Sequence, residues 1–202
     1  MKTITFAALA FAALATAPTA AQAQSFQGPY VGAQAGWNHD RASQAPWDDY
    51  AIPLDASRDA VSGGVYLGYD HRVAPNFVLG LEAGVTAARD DALVRSETGA
   101  TLALDPKYSI DASARAGYLL DPATMVYARG GYARLRVHTS QAGKDGVLKQ
   151  NANLDGWLAG AGIERLLTPN LSTRLEYRYS DFGGNGGDVQ RHQVLLGASY
   201  RF

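Results

Sequence analysis

From Gly28 onward, segment after segment has apolar residues at every second position, with small or polar residues between them. Val31, Ala33, Ala35 and Trp37 alternate with Gly32, Gln34, Gly36 and Asn38. Val65, Leu67 and Tyr69 alternate with Tyr66, Gly68 and Asp70, and Phe77, Leu79, Leu81, Ala83 and Val85 with Gly80, Glu82 and Gly84. The same period returns over 107–118, 154–166, 171–180 and 193–202. A helix would bring charges back every third or fourth residue, so a period of two predicts strands. Over 124–138 the apolar parity changes between Ala128 and Leu135. A β-bulge at Gly130-Gly131 would absorb that change and turn Arg129, Arg134 and Arg136 to one face. Eight strands are predicted.

Two kinds of connection separate them. Val73-Ala74-Pro75-Asn76, Leu120-Asp121-Pro122-Ala123 and Leu167-Thr168-Pro169-Asn170 are short and each contains a proline, which presets φ and withholds a ladder donor. The others, roughly 39–60, 89–105, 139–153 and 181–189, are longer and polar, sized by where the alternation lapses. Long and short connections in strict alternation describe an up-and-down meander with one plain end and one elaborate end. The crossover connections of a sandwich do not give that rhythm.

The two faces then decide the class. One carries Asp70, Arg72, Glu82, Lys107, Asp111, Arg115, Glu164, Arg174, Glu176, Arg178, Arg191 and Arg201, interleaved with glycine; the other is almost continuously aliphatic and aromatic. A charge on a lipid-facing midplane position costs about 2–4 kcal/mol for Arg or Lys, so a face that avoids charge is expected to meet lipid. The prediction is an all-β, eight-stranded antiparallel transmembrane barrel with its apolar face outward. Trp37, Tyr69, Phe77, Tyr108, Tyr118, Trp157, Tyr179, Tyr200 and Phe202 stand near strand ends, where interfacial aromatic girdles form. A barrel of this size is just wide enough to be filled by side chains. Glu82, Asp111, Arg115, Glu164, Arg174, Glu176 and Arg178 form the expected interior polar cluster, read first as a charge-paired plug and alternatively as a lining for small solutes.

Upstream, Met1-Lys2-Thr3 is followed by an apolar run from Ile4 to Ala15, then Pro18 and Ala21-Gln22-Ala23. That is the pattern of a secretory leader with an A-x-A cleavage site, and the run is shorter than the ~20 residues of a spanning helix. Residues 1–23 are expected to be removed, leaving 24–202 as one barrel domain. Among 202 residues there is no cysteine, which excludes a disulfide scaffold and thiolate metal sites. Eighteen Lys+Arg against 19 Asp+Glu give a formal charge of −1, without the basic excess that nucleic-acid binding requires. A mean hydropathy of −0.17 is too polar for a bundle of membrane helices.

The chain ends Val194-Leu195-Leu196-Gly197-Ala198-Ser199-Tyr200-Arg201-Phe202. A terminal aromatic, with Tyr200 two residues before Phe202, resembles the C-terminal signature by which bacterial outer-membrane barrels are recognised for assembly. Gly28-Pro29-Tyr30-Val31-Gly32-Ala33-Gln34-Ala35-Gly36-Trp37 resembles the first strand of small OmpA-type barrels, the porin-family and surface-antigen proteins. Leu175-Glu176-Tyr177-Arg178-Tyr179-Ser180-Asp181-Phe182-Gly183 is similar to their penultimate strand. The resemblance covers everything after the leader. It implies an outer-membrane location, outer-membrane lipids and the barrel-assembly machinery as partners, and a structural and surface-interaction role with an external ligand or host surface met through the long loops. OmpA itself continues into a peptidoglycan-binding domain, so wall tethering is not implied here.

Candidate chemistry is sparse. His138-Thr139-Ser140 has the His-x-Ser spacing of lipid A deacylase barrels, but the nearest downstream acids are Asp145 and, much later, Glu164. A nucleophile needs its base and an orienting third group within reach. Asp40, Asp48, Asp49, Asp55 and Asp59 crowd one loop with Arg41 and Arg58, in a spacing that matches no EF-type calcium site; a solvated acidic loop is expected. Trp47 and Tyr50 in the same loop are candidate contact points. No enzyme activity, cofactor or metal is expected.

Overall fold

The computed structural model describes residues 26–44, 53–89, 93–97, 100–143, 146–184 and 187–202. The expected leader, Trp47, Tyr50, Asp48, Asp49 and Asp145 lie outside them. Nine strands are present among the described residues: β1 (Gly28–Gln44), β2 (Pro53–Ala74), β3 (Phe77–Arg89), β4 (Leu93–Glu97), β5 (Ala100–Asp121), β6 (Thr124–Gly143), β7 (Gly146–Leu166), β8 (Leu171–Gly184) and β9 (Gly187–Arg201). Their order is β3-β2-β1-β9-β8-β7-β6-β5-β4, every pairing is antiparallel, and β3 also pairs with β5. That last pairing closes the sheet into an eight-stranded barrel. The short β4 stands outside the ring, paired to the start of β5 from Leu93↔Leu104 to Glu97↔Ala100.

Closure leaves each strand one face for the lumen and one for the surroundings, and the sequence alternation sorts accordingly. Leu81 is 68% exposed and its neighbour Glu82 is 4% exposed. Val65, Leu67, Leu79, Leu175 and Leu196 also point outward, whereas Asp70, Arg115, Arg174 and Arg201 are buried. An apolar exterior around a charged interior inverts a soluble barrel and suits hydrocarbon as the outer solvent. Phe77 meets Tyr118 edge-on at 5.2 Å, as Tyr200 meets Phe202; with Tyr69 they ring the end where the short turns lie. Trp37, Tyr132, Trp157 and Tyr179 ring the other side of the apolar belt, with Trp157 and Tyr179 at 5.3 Å. From Val61, opposite Trp37, to Tyr69 the strand runs roughly 27 Å at about 3.3 Å per residue, enough for a tilted strand to cross a barrel's apolar band of about 25 Å.

The four long connections are mostly ladder rather than loop. β1 and β2 pair out to Gln44↔Pro53, β6 and β7 to Gly143↔Gly146, and β8 and β9 to Gly184↔Gly187. Alternation lapses in these segments because, beyond the belt, the outer face meets water and need not be apolar, while backbone pairing continues. Asp40, expected in a solvated acidic loop, instead lies buried inside the barrel, paired to Arg191 at 2.7 Å.

The expected bulge at Gly130-Gly131 is absent. Ala114↔Gly130 and Ser113↔Gly131 continue the β5–β6 register without a step, as do Gly130↔Ala159 and Gly131↔Leu158 between β6 and β7. Arg129, Ala133 and Leu135 therefore face inward, and Tyr132, Arg134 and Arg136 outward. No parity change is needed because Arg134 and Arg136 stand past the aromatic ring, where an outward arginine is solvated.

The turn end carries a titratable cap. The Asp121 carboxylate accepts the Ala123 N–H at 2.7 Å, which holds its pKa below the ordinary value. A depressed folded pKa means that this contribution to stability is full above the unfolded value of about 3.9 and is lost as pH falls through the folded one. A carboxyl-carbon NMR titration of the folded protein should place the Asp121 midpoint below about 3.9, with Asp121→Asn removing the acid-dependent part of the turn's order. A midpoint at or above that value would show that the cap is not made.

Candidate functional site

The lumen is stacked in three layers. At the turn end lies an apolar floor of Val78, Leu119, Met125 and Tyr127, closed by Phe26, which precedes β1 and is 1% exposed. Phe26 holds a φ of 58°, a region non-glycine residues rarely occupy, and its ring lies 4.9 Å beneath the Arg201 guanidinium. Gly28, with φ 97°, supplies the left-handed turn that folds this segment under the barrel.

Above the floor, every barrel strand delivers a side chain to one hydrogen-bonded layer. Glu82 on β3 accepts from Arg129 at 2.6 Å, from Arg174 at 2.6 and 3.1 Å, and from the Tyr30 hydroxyl at 2.8 Å. Arg115 on β5 forks onto Asp70 of β2 and donates to Glu164 of β7 at 3.0 Å. Arg201 on β9 donates to the same two acids at 2.8 and 2.7 Å. Arg129 also reaches Asp111 at 3.0 Å and the Ser113 hydroxyl at 2.6 Å. Arg178 pairs with Glu176 at 2.7 Å and Asp111 at 3.4 Å, and Tyr127 donates to Glu176 at 2.7 Å.

The layer balances: Asp70, Glu82, Asp111, Glu164 and Glu176 against Arg115, Arg129, Arg174, Arg178 and Arg201, all 5% exposed or less. Buried ions are tolerable only when paired and hydrogen-bonded, and the arrangement meets that condition for all of them. Donors are in excess, since the Nε atoms of Arg129, Arg174 and Arg201 have no partner among the described residues.

Glycines make room for these long side chains. The Tyr66 ring occupies the space beside Gly32, with the Arg174 guanidinium stacked 3.6 Å above it. Tyr30 fills the space at Gly68, and Met125 that at Gly117. The third layer, toward the hairpin end, joins the Asp40–Arg191 pair, Asn38 and Gln193 to the apolar side chains of Leu135, Leu158 and Phe182.

All of the sequence-predicted cluster (Glu82, Asp111, Arg115, Glu164, Arg174, Glu176 and Arg178) falls in the middle layer. Asp70 and Arg201, placed on the charged face by sequence, turn out to be full members. Arg129 was missed because the assumed bulge grouped it with Arg134 and Arg136; its parity with Tyr127 was the available signal. Tyr30, Tyr66 and Tyr127 share the parity of the charged face, but the glycines opposite them, Gly68, Gly32 and Gly162, are fixed only by strand register. Arg72 is half-buried and donates to the Pro75 carbonyl, outside the network; the side chain of Lys107 is not among those described.

Tyr200 and Phe202 lie outward, each about half exposed, on the belt's turn-end rim. His138 and Ser140 pair with Asn151 and Lys149 near the hairpin tip, while Glu164 pairs with Met125 by the floor. Glu164 is thus at the far end of the barrel from the His-x-Ser pair and is bound to Arg115, Arg201 and Ser172. Asp59 bonds His39 on the outer face at 2.7 Å, and no three His, Asp or Glu residues among the described ones are grouped to hold a metal ion.

A closed all-antiparallel barrel, apolar outside and ion-paired inside, defines an outer-membrane barrel. The chain belongs to the outer membrane protein beta-barrel domain family, whose pattern matches residues 6–202. The 25 kDa outer-membrane immunogenic protein of Brucella ovis is 30% identical over 190 residues, covering 92% of this chain and 81% of that one. The 22 kDa outer membrane protein of Rhizobium leguminosarum bv. viciae is 29% identical over 151 residues, 69% of this chain and 65% of that one. Among solved structures, Neisserial surface protein A superposes with a TM-score of 0.58 at 21% identity, covering 87% of this chain and 97% of that one. Ail, the attachment invasion locus protein of Yersinia pestis, superposes with a TM-score of 0.50 at 16% identity, over 87% and 99%. These likenesses establish the fold and, through the family, the outer-membrane location.

Proposed function

We propose that this protein is a non-enzymatic structural barrel of the outer membrane, its lumen plugged and its projecting hairpins available for surface contact. The observation that carries the reading is the middle layer, a charge-balanced network crossing the lumen from all eight barrel strands above a floor stoppered by Phe26. The turn end and both termini face the periplasm in this reading, and the long hairpins face outward. Residues 1–23 act as the cleaved leader, and the outward Tyr200 and Phe202 serve the barrel-assembly machinery. The Brucella ovis relative is an outer-membrane immunogenic protein by name, which supports a surface-facing role.

The test is planar-bilayer conductance of the refolded chain 24–202. Insertion without steady current is expected. Steady, ion-selective steps that change when Glu176, Arg174 and Arg178 are neutralised together would replace this reading with a narrow channel for small solutes, in which the same side chains are the lining.

A further inference from the structure

The outer wall is not uniform. On β5, β6 and β7, outward residues fall into cross-strand rows: Ala112–Tyr132–Trp157 at the aromatic ring, then Ala114–Gly130–Ala159 and Ala116–Ala128–Ala161 below it. Two successive rows of the belt therefore contain nothing larger than a methyl group. The flanking strands carry large side chains at the same levels. Leu79 and Leu81 of β3 pair with Ala116 and Ala114, and Tyr177 and Tyr179 of β8 pair with Ala161 and Ala159. Small floor and tall walls make a shallow groove down the lipid-facing surface.

Cations stand at its head. The row above the ring is Ile110–Arg134–Asp155 and the next is Tyr108–Arg136–Asn153. Same-face rows are about 7 Å apart along a strand, so the two arginines stand roughly 7 and 13 Å beyond the ring, at headgroup rather than hydrocarbon depth. Arg134 donates to Asp155 at 2.6 and 3.2 Å, with both side chains about half exposed. Arg136 donates to the neutral Tyr108 hydroxyl at 3.0 Å and is exposed. Asp155 is taken up by Arg134, and the second outward carboxylate, Asp181 opposite Trp157, accepts from the Tyr179 hydroxyl. Arg136 makes no ion pair among the described residues and so presents its charge to the lipid headgroups. The β1–β2 flank at the matching row holds the paired His39 and Asp59 instead.

We propose that this groove is a lipid site. Arg136, with Arg134 and the Tyr108 hydroxyl, holds a phosphate of an outer-leaflet lipid headgroup, and the Ala/Gly floor seats its acyl chains. A guanidinium fork matches phosphate geometry, and only an amphiphile uses both the cationic head and the apolar trough. The assignment rests on the outward orientation proposed above, which proteolysis of the β6–β7 hairpin on intact cells reports separately.

Protein extracted from outer membranes should retain a phosphorylated lipid in native mass spectrometry. Exchange against a diphosphorylated lipid A should then give an affinity that falls roughly tenfold or more in Arg136→Gln, the loss expected for one charged hydrogen bond. Ala128→Phe, which fills the groove and leaves the charges in place, should lower retention as well, with both variants still showing the folded gel shift. The same lipid with its phosphates removed should bind more weakly, and inorganic phosphate should not displace it. Equal retention of the dephosphorylated lipid, displacement by inorganic phosphate, or unaltered retention in both variants would each overturn the proposal, displacement pointing to a soluble-anion patch instead.

Discussion

Glu82→Gln is expected to destabilise the barrel by about 3–5 kcal/mol, the cost of breaking a buried ion pair by removing one partner. Glutamine nearly preserves the volume, so the loss is electrostatic rather than a packing defect. Glu82 accepts from Arg129, Arg174 and Tyr30 and lies 3.9 Å from Arg115; its neutralisation leaves several buried guanidinium donors facing an uncharged amide. The measurement is the urea midpoint followed by the shift between boiled and unboiled samples. Two comparisons keep it interpretable. Asp155→Asn, which opens the exposed pair with Arg134, should move the midpoint little, because solvent and salt screen an exposed pair. Glu82→Gln combined with Arg174→Gln should recover part of the loss, because acid and base are then removed together. A Glu82→Gln protein as stable as its parent would mean that the network is not what fills the lumen.

Gly36→Val should prevent the barrel from closing. Gly36 lies on β1 opposite Leu195 of β9, in the seam where the first and last strands join. A Cβ there would land on the carbonyl oxygen of Val194 and come within 2.9 Å of the Leu195 Cα. Backbone cannot rotate aside as the tip of a side chain can, so the ladder itself must give. Val is a good strand former, which removes propensity as an explanation. Ala33→Val, on the outer face of the same strand, is the control and should fold normally. Loss of the folded gel form in Gly36→Val alone is the expected result; normal folding of both would show that the seam has slack.

Much of this molecule could be read before folding. The period-two alternation, the proline turns and the segregation of charge to one parity sufficed for an eight-stranded apolar-out barrel, because hydrocarbon outside and a narrow lumen inside impose opposite demands on adjacent residues. The interior cluster followed from the same rule. Where the outer solvent changes, that rule fails. Beyond the aromatic ring both faces tolerate polar residues, so the strand extensions at 39–44 and 139–143 read as loops, and Asp40 read as solvated.

Arg134 and Arg136 misled for the same reason: the pattern assumed hydrocarbon at a height where there is none, and a bulge was invoked to remove a conflict that did not exist. The partners within the lumen were beyond the sequence altogether. Glu82 meets Arg174 across 92 residues of chain, and Phe26, outside the alternating segments, becomes the stopper only because the left-handed turn at Gly28 carries it beneath a closed ring. The groove of alanines under two arginines likewise exists only in register, since its rows are made of residues from three strands. The sequence by itself determined which side of each strand faces lipid, through the cost of placing charge there. Closure and register decided which charges pair and which surfaces adjoin, because both depend on contacts between residues that only the finished barrel brings together.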